Sequence, residues 1–286
     1  MFHFIFITHM DKKNIQLGSL TGKVILFGGV YSNLQALEAL ISIANKEGIT
    51  SEYCFCTGDI VGYCAQPEKT VQRFINWGAH SIIGNVELQL KNGDEDCGCD
   101  FTTGSRCDNL SKLWYPCAQS LLSEVSINWM KNLPDHISFE YAEKRLTIVH
   151  GSYKQISDFI FKSTPWKYKK SSFISTESDV IIAGHCGLPF VDNYQDKLWL
   201  NLGVIGMPAN DGTPYVWYMI LDDSDGFSFK FKTLEYDYSK ANELMVKNHL
   251  PKEYAKTLVT GFWDNMEILP SQERLWKGRP LNNLIY

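Results

Sequence analysis

The chain has no apolar run near the ~20 residues that a membrane-spanning helix needs. Its apolar opening, "MFHFIFITHM", spans only residues 1–10. That opening also lacks the basic start and small-residue cleavage site of an export signal. It reads as an extra strand or an extension, with Met10 as an alternative start, and a cytoplasmic location is expected. Positive charge is in short supply: 27 Lys and Arg stand against 32 Asp and Glu, a net charge of −5. This excludes a broad nucleic-acid footprint. There is no internal repeat, low-complexity stretch or linker. Ser152 and Ser157 lack the strand–turn–helix setting of a nucleophile elbow, which sets aside a serine hydrolase.

What is present is a large apolar fraction, 44% of 286 residues, with 8 Trp, 14 Tyr and 16 Phe. That is enough for one sizeable core. The eight cysteines are Cys54, Cys56, Cys64, Cys97, Cys99, Cys107, Cys117 and Cys186. Without an export signal, a disulfide framework is not the starting assumption. Cys54 and Cys56 lie in a strand-like run and read as buried free thiols. Cys97, Cys99 and Cys107 lie in a polar, Gly-rich loop, where burial preference does not account for them.

"KVILFGG", "EYCFCTGD" and "AHSIIGN" read as buried strands. Between them, "SNLQALEALISIANKEG" and "QPEKTVQRFINWG" have helical spacing, with Ser32 or Asn33 as a cap, Gly48 as a stop and Pro67 in a first turn. This β-α-β-α-β order predicts a largely parallel sheet covered by helices. Helices are expected at 108–118 and 121–132. "ISFEY" and "RLTIVHG" suggest a hairpin, "VIIAGH" another buried strand, and "LWLNLG", "YVWYMIL" and "FSFKFKTL" antiparallel strands. The chain is expected to be helical again from about 236 to 261. The predicted fold class is α/β, a four-layer α/β/β/α sandwich of two mixed sheets. A single domain over 1–286 is expected, with a core at about 22–235, a Cys-containing loop and helical insertion at about 91–133, and a C-terminal extension at 236–286.

Strand-like runs end in Gly58–Asp59, Gly84–Asn85, His150–Gly151 and Gly184–His185. Ligands collect beyond the carboxyl ends of strands in open α/β sheets. Glycine beside each polar residue lets the backbone turn and aim the side chain into the crevice. Asp59, Asn85, His150 and His185 together form a donor set suited to a divalent transition metal such as Mn, Fe or Zn. "WKYKK" at 166–170 is a basic-aromatic run, read as a solvated face or a contact for a phosphorylated substrate.

The chain resembles the calcineurin-like metallophosphoesterase family, whose motifs run Asp-x-His, Gly-Asp, Gly-Asn-His, His-Gly and Gly-His-x-His. Here the corresponding stretches are "GVYSNLQALEAL", "GDIVGY", "GNVE", "VHGS" and "GHCGLPF", followed by "NLGVIGMP". The likeness covers about residues 22 to 235. It implies that Asp59, Asn85, His150 and His185 hold one metal. Gly29 and Tyr31 stand where the family has its first Asp and His, Val86 replaces the His of Gly-Asn-His, and Gly187 replaces the last His. The ligands peculiar to the family's other metal are thus missing, so one ion is expected rather than two.

The resemblance implies hydrolysis of a phosphate mono- or diester, with a nucleotide-like small molecule favoured and a phosphoprotein as another substrate. Tyr31 and Glu87 are candidate catalytic groups. Cys64, Cys97, Cys99, Cys107 and Cys186 are candidate thiolate ligands for a rebuilt centre, up to an iron–sulfur centre. The alternatives are an inactive metal-binding or regulatory module and an enzyme with a Cys-containing metal centre.

Overall fold

A computed structural model describes residues 12–281. The reading of "MFHFIFITHM" falls outside these residues. The described strands form two sheets. One has five strands, β2 (Val24–Phe27), β3 (Cys54–Cys56), β4 (His80–Ser81), β10 (Val216–Asp222) and β11 (Ser228–Leu234), in the order β11-β10-β2-β3-β4. The other has six: β1 (Asn14–Leu20), β5 (His136–Tyr141), β6 (Lys144–Ile148), β7 (Val180–Ala183), β8 (Pro189–Tyr194) and β9 (Lys197–Leu202). Their order is β1-β5-β6-β7-β9-β8. Both sheets are mixed: β2, β3 and β4 pair in parallel, as do β6, β7 and β9, while β10 and β8 run antiparallel to their neighbours.

Period-two alternation explains how a short apolar run serves two cores. Val24 and Leu26 pack between the sheets with Phe55, Ile148 and Ile182. Ile25 and Phe27 face the other way, toward helices α1 (Leu34–Glu47) and α2 (Pro67–Trp77). On the far side, Ile181, Ala183 and Trp199 of the six-stranded sheet pack with Phe173 of a further helix, 166–176. The result is the four-layer α/β/β/α sandwich expected from the element order. In α1 the Asn33 side chain caps the start at Ala36 and Gly48 ends the helix in the left-handed region, φ 69°.

Some elements differ from the sequence reading. The third strand is only two residues long, because Ile83 leaves the ladder and donates to Pro134 O, 2.8 Å away. The chain after Gly84 starts a helix, α3 (Asn85–Asn92), rather than a loop. The insertion continues with α4 (Arg106–Leu121) and α5 (Glu124–Asn132). The "WKYKK" run opens α6 (Trp166–Thr176); Lys167, Tyr168 and Lys170 are exposed, as expected of a solvated face, while Lys169 is buried against Asp192 and Lys162 O. After β11 come α7 (Tyr238–Lys247), α8 (Lys252–Thr260) and a short α9 (Ser271–Arg274). No helix among the described residues is long and apolar enough to cross a membrane.

Candidate metal centre

Four turns carry the candidate ligands to one place. Asp59 follows β3, Asn85 opens α3 after β4, His150 follows β6 and His185 follows β7. All four side chains are buried. Asp59 and His185 both adopt left-handed backbone, φ 58° and 61°. Non-glycine residues held there are uncommon and cluster at functional sites. Gly84 has no room for a side chain, since a Cβ there would collide with the Asp59 carboxylate.

Asp59, His150 and His185 offer ligand atoms that all lie within 4.8 Å of one another. His150 is the hub. Its Nε2 lies 2.9 Å from Asn85 Oδ1, 3.3 Å from Asp59 Oδ2 and 3.2 Å from His185 Nδ1. Its Nδ1 lies 2.6 Å from Thr57 O. A carbonyl only accepts, so Nδ1 donates to it and Nε2 is the atom that faces the other three. Two oxygens and a second imidazole nitrogen thus converge on Nε2, where either a proton or a cation balances them. The backbone carbonyl on Nδ1 is the kind of partner that fixes a metal-binding histidine. The donor set and its orientation therefore fit a divalent ion.

The electrostatics carry the same imprint. Burial works against the charged form of His150, but the Asp59 carboxylate, the Thr57 carbonyl and Glu87 outweigh it and raise its pKa. Burial, then the neighbouring His150, push His185 down to about 3. Burial and the Asp59 charge raise Glu87 to about 7.

Glu87 is a clamp for the Asp59 turn. Its Oε2 accepts from Asp59 N at 2.8 Å and Gly84 N at 3.1 Å, and its Oε1 accepts from Val61 N at 2.9 Å. Both oxygens are thus occupied by backbone, which suits an orienting role and leaves little for proton transfer. Tyr31 lines a cavity beside Asp59 and stacks edge-on against Tyr63, with centroids 4.6 Å apart. Burial and then the Asp59 charge hold its phenol well above the usual pKa.

The cysteines do not assemble around one ion. No Cys joins the metal-ligand cluster found among the described residues. Cys64 Sγ donates to Gly206 O, Cys186 Sγ to Leu188 O and Cys107 Sγ to Asn265 Oδ1. Cys97 and Cys99 lie together, sulfurs 2.8 Å apart, but their partner is the Asn85 amide. Cys99, Cys107 and Cys186 do line the cavity that holds Asp59 and His185, without joining the tight ligand cluster.

Part of the cavity wall comes from stretches to which sequence reasoning assigned no role. The cavity measures about 90 Å³ and is lined by Tyr31, Asp59 and His185 together with Phe159, Tyr254 and Trp263. Phe159 lies against His185, centroids 4.3 Å apart. Trp263 is fixed by its indole N–H to Pro208 O, 2.7 Å, and by its backbone N–H to Asn210, 2.9 Å. Its ring comes so close to Gly187 that a Cβ there would lie 3.2 Å away. Arg106 of α4 pairs with Asp264 and with Glu253, tying the insertion to the C-terminal extension. The "FWDN" cluster at 262–265, in a tail with no periodic pattern, was the available signal.

A two-sheet sandwich with Asp, Asn and two His gathered at its strand ends defines the metallophosphoesterase class of fold. Residues 23–226 match the calcineurin-like phosphoesterase superfamily domain, and the chain belongs to that family. It is a family of metal-dependent phosphoesterases. An uncharacterized protein of Methanocaldococcus jannaschii is 28% identical over 255 residues, covering 83% of this chain and 98% of that one. A solved protein of Pyrococcus horikoshii superposes with TM-score 0.70 at 19% identity, over 84% of this chain and 99% of that one. A metallophosphoesterase from Sphaerobacter thermophilus gives TM-score 0.65 at 20% identity, over 85% and 100%.

Proposed function

We propose that this protein is a phosphoesterase that works with one divalent ion, held by Asp59, Asn85, His150 and His185, and hydrolyses a phosphate ester of a small molecule. The observation that carries the reading is the convergence of Asp59, Asn85 and His185 on Nε2 of His150. Two oxygen and two imidazole donors suit Mn, Fe or Zn. A bound ion would supply an acidified water and polarise a phosphate oxygen.

The chain's own residues define the rest. The cavity has no Lys or Arg among its lining residues. A phosphate entering it meets the Asp59 carboxyl group, and an Asp264 already paired with Arg106, so binding depends on the cation. Tyr31 Oη stays protonated at neutral pH and offers a hydrogen bond to a phosphate oxygen. Val86, beside Asn85, exchanges no proton, so leaving-group assistance falls to water or the substrate itself. Tyr31 fills the space beside Gly29, and Trp263 the space beside Gly187. Both are positions where the family resemblance puts ligands of a second ion, which supports a one-ion site.

About 90 Å³ encloses a phosphate-sized group rather than a whole nucleotide. A wider groove shares the Trp263–Asp264 wall and carries Arg106, Lys252, Lys256, Lys277 and Phe262. Among the described residues the three lysines have no carboxylate partner. This groove favours an anionic, nucleotide-like remainder over a phosphoprotein. A cytoplasmic location belongs to the same proposal.

The test is turnover of a panel of phosphate mono- and diesters by protein loaded with Mn, Fe(II) or Zn. Activity above a His150→Ala control is expected. Ion binding without turnover would instead support a second reading, a metal-holding module, which the small, largely apolar cavity favours.

A further inference from the structure

We propose that the turn Cys97–Gly98–Cys99 is a positioning element for Asn85. It accepts both protons of the Asn85 carboxamide and so turns Oδ1 toward the cation site. This rests on the reading of Asp59, Asn85, His150 and His185 as one metal site, and it gives the Cys-containing insertion a role at that site.

A carboxamide is nearly symmetric in shape but not in chemistry: the oxygen ligates a cation and the NH₂ repels it. A buried Asn beside a metal therefore needs something that distinguishes its two ends. Here Nδ2 lies 2.8 Å from Cys97 O and 3.2 Å from Cys99 Sγ. The Cys97 carbonyl only accepts, which assigns the nitrogen to that side and the oxygen to the side of His150, 2.9 Å away. The flipped amide would set oxygen against carbonyl oxygen and NH₂ against the ion. Both donors of the amide are used, and neither needs water.

The acceptors are themselves held. The Cys97 thiol donates to Cys99 Sγ at 2.8 Å, leaving sulfur lone pairs on Cys99 for the amide. Cys97 and Cys99 are 3% and 5% exposed, so solvent does not compete. Ser157, in the loop that follows His150, donates its hydroxyl to Gly98 O. The turn is thus pinned to the His150 side of the site as well as to Asn85. This also accounts for cysteines in an otherwise polar loop: a backbone carbonyl and a side-chain acceptor must sit together in a dry place.

The experiment uses the full chain and Mn²⁺, a hard ion with little appetite for stray thiols. Mn²⁺ affinity is read by electron paramagnetic resonance titration for wild type, Cys99→Ala, Cys99→Ser and Cys97→Ala, with His150→Ala as the control. Loss of a partner that orients a metal ligand typically costs 10–100-fold in affinity, so Cys99→Ala is expected to bind about tenfold more weakly. Cys99→Ser keeps an acceptor and is expected to restore most of the loss. Cys97→Ala retains the carbonyl and is expected to fall between wild type and Cys99→Ala. In ion-free protein, the Asn85 side-chain NH₂ should show two exchange-protected protons by ¹⁵N NMR, and one of them should lose protection in Cys99→Ala. Wild-type affinity in Cys99→Ala, or equal loss in Cys99→Ser, would overturn the proposal while leaving the metal site standing. Failure of wild type to bind Mn²⁺ more tightly than His150→Ala would overturn the parent reading and this one with it.

Discussion

The ring of Tyr31 occupies the space into which a side chain at Gly29 would project: a Cβ there would fall 2.6 Å from Tyr31 Cε1. The two positions are alternatives, one filled because the other is empty. Gly29→Asp is expected to overpack this corner and to destabilise the fold by about 1–3 kcal/mol. Gly29→Asp combined with Tyr31→Ala should lose less than the sum of the single changes, because the two residues share one volume. Urea denaturation of the four proteins checks this.

Ion stoichiometry follows from the same corner. Elemental analysis after loading with Mn should give one equivalent per chain, and two would overturn the one-ion reading. Ion binding to the folded state alone raises stability by about 2.7 kcal/mol at a hundredfold excess over Kd. The matching rise in thermal midpoint should disappear in His150→Ala and in Asp59→Asn.

Gly187 adopts φ +78° with the Trp263 ring against it. Gly187→Ala meets both a backbone penalty and a crowded ring, and should cost about 1–3 kcal/mol. A change of less than a few tenths of a kcal/mol in chemical denaturation would mean that the Trp263 wall yields readily.

Lys169 is fully buried and pairs with Asp192. Burial lowers its pKa, and Asp192 works against that. Removing the carboxylate strands the ammonium, so Asp192→Ala should cost about 3–5 kcal/mol. Lys169→Met removes the charge together with its need for a partner and should cost less. Equilibrium unfolding of both variants separates the two effects.

His136 is buried beside Tyr153, and burial, then the Lys12 charge, push its pKa down to about 4 from 6.5. The unfolded chain therefore binds a proton that the folded chain refuses. Above pH 6.5 this contributes no pH dependence, whereas between 6.5 and about 4 stability falls as pH falls. The slope approaches about 1.4 kcal/mol per pH unit from this group alone. His136→Gln should flatten that part of the stability profile, between pH 6.5 and about 4.

Much of the two-sheet core was readable because its strands are short apolar runs ending in glycine. Val24–Phe27, Cys54–Cys56 and Val180–Ala183 are fully buried on both faces, so they carry no polar interruption to confuse the pattern. Strand β1 was missed for the opposite reason. It is a half-exposed edge, "NIQLGSL", with an irregular register between Gln16 and Ser19 where it pairs with β5. Strand β8 was missed because it begins at Pro189 and ends in exposed polar residues. At the site, Asp59, Asn85, His150 and His185 were legible from position, each just beyond a strand. The walls were not, since Phe159, Tyr254 and Trp263 reach the cavity by tertiary contacts that leave no local period in the chain.

The link from Arg106 to Asp264 and Glu253 has a consequence for how the protein is made. His185, the last of the four candidate ligands, leaves the ribosome roughly 80 residues before Ile268, the last residue to line the cavity. At ~5–20 residues per second that interval is of the order of ten seconds. For that time the chain carrying the four residues lacks Tyr254 and Trp263, so the cavity wall is the last part of the site to be synthesised.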